Sequence, residues 1–255
     1  MTVEFEADAV VLDIEGTTSS TGFVTQVLYP YSRERLGRLL TERSNEPDVR
    51  RPTNQVRELL GEPQASPARI EQALLGWLAE DRKATPLKTL QGILWSEGFA
   101  CGELVSHFYD DVVPVLQRWH AAALRQYVYS SGSVAAQRGW FAHSPYGDLL
   151  PLMDGFFDTE NAGPKQSADA YRTITAAITT PAARTLFISD RPAELDAAST
   201  AGWLTACIRR PGEPYYGHGI CGHREVQSFD HIVVSSTFDQ GRLATQTFDG
   251  RRTAP

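Results

Sequence analysis

Cysteine is scarce in this chain of 255 residues, which carries three, Cys101, Cys207 and Cys221. An odd, widely spaced set builds no disulfide framework and suits a reducing compartment. No apolar run approaches the ~18 residues that span a bilayer. The opening segment MTVEFEADAV has acids where a secretion signal needs a basic region. A cytoplasmic protein with no membrane association is expected. Positive charge is also in deficit, because 24 Lys and Arg against 31 Asp and Glu leave a net charge of −7. Nucleic acids and anionic surfaces therefore gain no electrostatic hold. Internal repeats and low-complexity blocks are absent. What remains is an ordinary globular composition, 42% hydrophobic, long enough for one large domain or a core with one insertion.

The apolar run AVVL at residues 9–12 predicts a buried parallel strand that delivers Asp13 at its carboxyl end. A polar Gly/Thr/Ser loop follows at 14–20. From there to residue 123 the apolar residues recur at helical spacing, with a break or kink expected at Pro30. Strand and helix then alternate: QYVYS (126–130), a helix at 134–141, a strand near Phe156 and Phe157, a helix at 168–178, RTLFIS (184–189), a helix at 193–200 and WLTACI (203–208). Such alternation predicts an α/β fold with a parallel sheet and helices on both faces. Residues 231–234 predict an added edge strand, and the tail 235–255 lacks periodicity. Asp13 and Ser130 are 117 positions apart, far more than a βαβ crossover requires. The interval predicts a helical insert after the first strand, placed over the carboxyl ends of the strands, where open α/β sheets bind ligands. The expected division is a core of residues 1–20 and 110–234, a helical cap of 21–109 and a mobile tail of 235–255.

Strand ends bring Asp13 with Glu15, Ser130 with Ser131, Lys165, and Asp190 with Glu194 to one edge. Several carboxylates in one cleft repel one another unless a hard cation gathers them, and oxygen donors from short loops suit magnesium. A carboxylate, a metal, a hydroxyl and an amine are the parts needed to move a phosphoryl group through an aspartyl-phosphate. Asp13, ending its strand before a loop of N–H donors, is the expected nucleophile. A receiver-type signalling domain uses similar parts, but it has no insert after its first strand.

The runs VVLDIEGTT, YVYSSGS, Pro164-Lys165 and FISDRPAEL stand in the order and spacing of the haloacid dehalogenase-like phosphatases. With LKTLQGILWSEGFACGEL, GWF, GDLL, GFFDT and ELDAASTAG, residues 9–212 resemble the enolase-phosphatase branch of that family. The resemblance implies a Rossmann-like core with a helical cap. It implies one Mg2+ held by Asp13, Asp190 and the main-chain carbonyl of Glu15, with Ser130, Ser131 and Lys165 binding substrate. The implied reaction belongs to methionine salvage: 2,3-diketo-5-methylthiopentyl-1-phosphate is enolised, then dephosphorylated to 1,2-dihydroxy-3-keto-5-methylthiopentene. A small phosphorylated metabolite as ligand and a monomeric chain go with that reading. The alternative is a general phosphatase or phosphomutase of the same fold. This chain departs from the family in having Ser167 where a Glu is usual, and Arg191-Pro192 after Asp190.

Glu15 stands where general phosphatases of this fold have a shorter Asp that protonates the leaving oxygen. An enol leaving group needs little such help, which frees Glu15 for proton transfer at carbon. Each residue also has a plainer reading. Ser130 and Ser131 can cap the following helix, Lys165 can be solvated, and Glu194 can be a first-turn helix charge or a residue that orients metal-bound water. HGICGH (218–223) fits no common structural zinc spacing. Trp77, Trp95 and Trp119 read as core, with Trp95 also a candidate for substrate contact.

Overall fold

The computed structural model describes residues 2–80, 82, 84–217 and 222–236. Five strands at the centre are apolar enough to be covered on both sides: β2 (Ala9–Leu12), β3 (Arg125–Tyr129), β4 (Gly155–Phe157), β5 (Thr185–Ser189) and β6 (Leu204–Ile208). With the short β7 (Arg224–Val226) they form one sheet in the order β4-β3-β2-β5-β6-β7, and every pairing is parallel. Leu12 pairs with Val128 on one side and with Ile188 on the other. Asp13, Ser130 and Asp190 consequently leave the sheet within one residue of the same level.

Alternation along each strand sends side chains to opposite faces. Val10, Leu12, Val128, Leu186 and Ile188 pack with α6 (Val112–Ala121) and α7 (Val134–Ala142). Ala9, Val11, Tyr129 and Phe187 pack with α8 (Ala168–Ile178) and α9 (Pro192–Thr200). The insert has an apolar cluster of its own. Its helices are α2 (Tyr29–Glu42), α3 (Pro47–Leu60), α4 (Pro67–Ala79) and α5 (Thr85–Ala100), and Leu36, Val56, Ile70, Leu74 and Leu90 among them are fully buried. Proline in the first turn starts α3, α4 and α5, where its missing N–H costs no hydrogen bond.

Four expectations are corrected. Ala9–Leu12 is the first strand of the central sheet but the second of the chain, because β1 (Val3–Glu6) precedes it. The apolar run near residue 231 forms β8 (Ile232–Ser235), which pairs with β1 in a separate two-stranded parallel ladder and adds no edge to the central sheet. Ser235 therefore belongs to a strand, and Ser236 Oγ donates to Asp8 Oδ1 at 3.0 Å, while 237–255 lie outside the described residues. Pro30 does not break the helix. The single turn α1 (Thr21–Phe23) runs through a π-helical stretch, Val24–Leu28, directly into α2, so the chain absorbs the missing donor by widening the preceding turn.

Candidate active site

The loop after β2 turns on one carbonyl. Ile14 O accepts from the N–H groups of Thr17, Thr18 and Ser19 at 2.9–3.2 Å, while Thr18 Oγ1 donates back to Asp13 O at 3.1 Å. Gly16 adopts φ +72°, and a Cβ there would lie 2.3 Å from Asp190 Oδ2, so only glycine lets the loop lie against the end of β5. Thr17 Oγ1 joins the two strand ends, donating to Asp13 Oδ2 at 3.4 Å and accepting from the Asp190 N–H at 3.1 Å.

Lys165 is buried at the end of a loop held by two tyrosines. Tyr129 OH donates to Gly163 O at 2.7 Å and Tyr171 OH donates to Lys165 O at 2.8 Å. Its Nζ lies 2.6 Å from both Asp13 Oδ1 and Glu194 Oε2. Burial alone would discharge the amine, but the carboxylates of Asp13 and Glu194 more than offset that and hold its pKa well above the ordinary lysine value. Ser167 caps α8 by accepting from the Asp169 N–H, so the residue that departs from the family pattern has a local structural task. Glu194, which sequence reasoning left secondary, also accepts from Ser189 Oγ at 3.0 Å. Desolvation, with the charge of Asp13 acting in the same direction, raises its pKa despite the opposing effect of Lys165.

Asp190 completes the cluster. Burial and then the charge of Asp13 push its carboxyl up to about 8, and its Oδ1 has no hydrogen-bond partner. A desolvated carboxylate with an unused oxygen beside a second carboxylate is a donor set that fits a hard divalent cation. No group of three His, Cys, Asp or Glu side chains suited to a metal occurs among the described residues. A divalent ion held here would accordingly need oxygen donors beyond the two aspartate side chains. His218 and Cys221 lie outside the described residues. His223 contacts Thr205 Oγ1 at 2.8 Å and Asp196 Oδ1 at 3.0 Å.

Asp13, Lys165, Asp190 and Glu194 are thus gathered at one point, whereas Glu15, Ser130 and Ser131 stand on the wall of an adjoining cavity. This cavity, of about 100 Å³ and partly open to solvent, is roofed by Trp77, Leu78, Leu87 and Trp95 of the insert. Ser130 Oγ accepts from the Gly132 N–H at 3.4 Å, and Ser131 O accepts from Lys88 Nζ of α5 at 3.1 Å. Neither serine caps α7, since that role belongs to Ser133, which accepts from the Ala136 N–H. Trp95 Nε1 donates to Ser32 Oγ at 2.8 Å and to Leu28 O at 3.2 Å, which fixes its ring in the roof. Trp119 is buried in the core beside Phe229.

The passages between core and insert are tied to the loop after β6. Arg210 makes a bidentate pair with Asp111 at 2.8 Å and donates to Thr17 O. Glu213 accepts from Tyr109 OH at 2.6 Å and from the Thr21 N–H at 3.2 Å. Sequence reasoning missed this clamp. Its one visible signal was paired arginines, Arg209 and Arg210, directly after an apolar strand.

Comparison with known proteins places these observations in a family. The haloacid dehalogenase-like hydrolase family matches residues 7–202. The curated protein Enolase-phosphatase E1 of Streptomyces avermitilis is 66% identical over 92% of this chain and 98% of its own length. Its namesake from Frankia alni is 49% identical over 90% and 97%. Among solved structures, the UTR4 protein of Saccharomyces cerevisiae superposes with a TM-score of 0.73 at 29% identity, covering 88% of this chain and 99% of that one. The chain therefore belongs to the haloacid dehalogenase-like hydrolases, among the relatives named Enolase-phosphatase E1.

Proposed function

We propose that this chain is an enolase-phosphatase of methionine salvage, acting on 2,3-diketo-5-methylthiopentyl-1-phosphate. The observation that carries the reading is the buried Lys165 ammonium 2.6 Å from the Asp13 carboxylate, next to a largely apolar cavity on whose wall Glu15 stands. Asp13 attacks phosphorus, the bond from phosphorus to the enol oxygen breaks, and water then hydrolyses the aspartyl-phosphate. Lys165 orients Asp13 and balances phosphate charge, while Ser130 and Ser131 bind the ester. The Glu15 carboxylate moves the C1 proton during enolisation. Asp13, Asp190 and the Glu15 carbonyl would hold one Mg2+, which when bound supplies charge neutralisation for the phosphoryl group.

Residues 21–109 act in this reading as a cap over a core made of 1–20 and 110–234. The cap recognises the methylthio tail and excludes water. A monomer in the cytoplasm goes with that reading, and among the described residues no helix is long and apolar enough to cross a membrane. That proposal assigns it no nucleic-acid or membrane partner. Light scattering tests the monomer.

The deciding experiment incubates the protein with the diketo phosphate and magnesium while following enediol absorbance and inorganic phosphate together. Both signals should rise, chelator should abolish phosphate release, and magnesium should restore it. Phosphate without enediol would make the protein a general phosphatase, and full activity in excess chelator would remove the metal. Calorimetric titration of the unliganded protein with magnesium reports the ion site without reference to turnover.

A further inference from the structure

Buried polar side-chain atoms without a partner are rare in folded proteins, and their positions are informative. Six occur among the described residues, and three of them, Gln91 Nε2, Gln137 Oε1 and Trp140 Nε1, belong to residues lining the cavity beneath the insert. Gln91 is 4% exposed and sits on the face of α5 that also carries Leu87, Lys88 and Trp95 into the wall, as spacings of three and four residues require. Trp140 is 6% exposed, packed edge-on against Phe23 and Phe99. Neighbouring donors are already used: Trp95 Nε1 by Ser32 and Leu28, Lys88 Nζ by Ser131 O, and Gln137 Nε2 by Gly132 O and Phe157 O. Gln91 and Trp140 place two buried N–H donors beside the apolar part of a wall that also carries Glu15, Ser130 and Ser131, an arrangement that complements a ligand with an apolar body and two acceptor oxygens.

We infer that Gln91 Nε2 and Trp140 Nε1 receive the adjacent carbonyl oxygens of the phosphorylated α-diketone and set the specificity of the enzyme for it. The inference rests on the enolase-phosphatase reading and deepens it. An ester lacking the dicarbonyl leaves both donors desolvated and unpaired, so the cavity discriminates by what it withholds as well as by what it binds. As the enol forms, negative charge grows on one of these oxygens, and a donor already aimed at it strengthens its hold without rearranging.

The test compares kcat/KM for the diketo phosphate with kcat/KM for a small aryl phosphate, taking their ratio in each variant. In Gln91→Leu the ratio should fall about tenfold, the order expected for a lost hydrogen bond to substrate. The Tm should hold or rise, because an apolar group replaces an orphaned donor. Trp140→Phe keeps a ring against Phe23 and Phe99 and should lower the ratio in the same direction. Gln91→Glu preserves shape but donates only when protonated, so its ratio relative to the native protein should fall as pH rises through the titration of the new carboxyl. Ratios within twofold of native in Gln91→Leu and Trp140→Phe overturn the inference, as does a lowered Tm with parallel loss on both substrates. If the native protein releases no phosphate from the diketone, the functional reading fails and the inference falls with it. Native turnover with unchanged ratios in the variants overturns the inference alone.

Discussion

The strand-end cluster and the cavity beside it solve opposite problems with buried polar groups. At the cluster, Lys165 is shared between Asp13 and Glu194 at 2.6 Å, and Thr17 joins Asp13 to Asp190, so nearly every polar atom has a protein partner. In the cavity, Gln91 and Trp140 keep donors that no protein group meets. What any phosphate ester requires is assembled in advance, whereas what distinguishes one ester from another waits for the ligand to complete it. Preorganisation at the cluster favours rate, and incompleteness in the cavity favours selection.

The largest expected effect breaks the cluster at its nucleophile. Asp13→Asn should lower phosphate release by about 10⁴-fold or more, as loss of a covalent nucleophile does. Circular dichroism should show the fold intact, because Lys165 keeps Glu194. Next comes Lys165→Met, which leaves Asp13, Glu194 and Asp190 buried without their cation and should cost roughly 3–5 kcal/mol of stability in urea denaturation. Since Glu194 and Asp190 bind protons more readily than ordinary carboxyls, protonation relieves the repulsion, and the loss should be smaller at pH 5 than at pH 8. A loss that grows on acidification would contradict the charge account.

Smaller effects test the roof and the clamp. Trp95→Phe removes the bonds to Ser32 and Leu28 that fix the ring, and KM for the diketo phosphate should rise about fivefold while the Tm falls slightly. Glu213→Gln weakens the hold on Tyr109 and Thr21 and should cost about 1 kcal/mol at pH 7. Burial alone would raise the Glu213 carboxyl, but the bonds from Tyr109 and Thr21 outweigh it and hold the carboxyl below its ordinary 4.5. A depressed carboxyl contributes fully above its unfolded value and loses the contribution as pH falls through its folded one. The stability difference between native and variant should hence stay constant from pH 8 to pH 5 and shrink below about 4.5, which denaturation at a series of pH values measures.

Most of the sheet was legible because β2, β3, β5 and β6 are short runs of apolar residues buried on both faces, which leaves little else for them to be. β1 was not, since Val3–Glu6 alternates with acids and buries Phe5 alone, and β7 is three residues long with two exposed. The residues at the strand ends were legible because position at the end of a strand implies convergence with its neighbours. Glu194 was underrated because a first-turn acid on a helix has an ordinary use, and only three dimensions show its carboxylate turned onto Lys165. Gln91 and Trp140 carry no mark in the sequence at all. An amide in LKTLQGILW looks like a solvated helix position, and its isolation becomes visible only once the cavity exists around it.

The pairing of β1 with β8 also decides how the molecule bears load. Val3 is registered with Ile232 and Glu6 with Ser235, and the two strands run in the same direction. Force applied by pulling residue 3 backward and residue 235 forward therefore slides one strand along the other. The ladder is loaded in shear, with its hydrogen bonds sharing the tension at once instead of opening one after another. Arg184, which grips Asp8 at 3.0 Å just beyond β1, then passes the strain to the central sheet through β5. Resistance to such a pull is set by the unfolding rate under force rather than by equilibrium stability, so the chain can be mechanically stiff without being unusually stable.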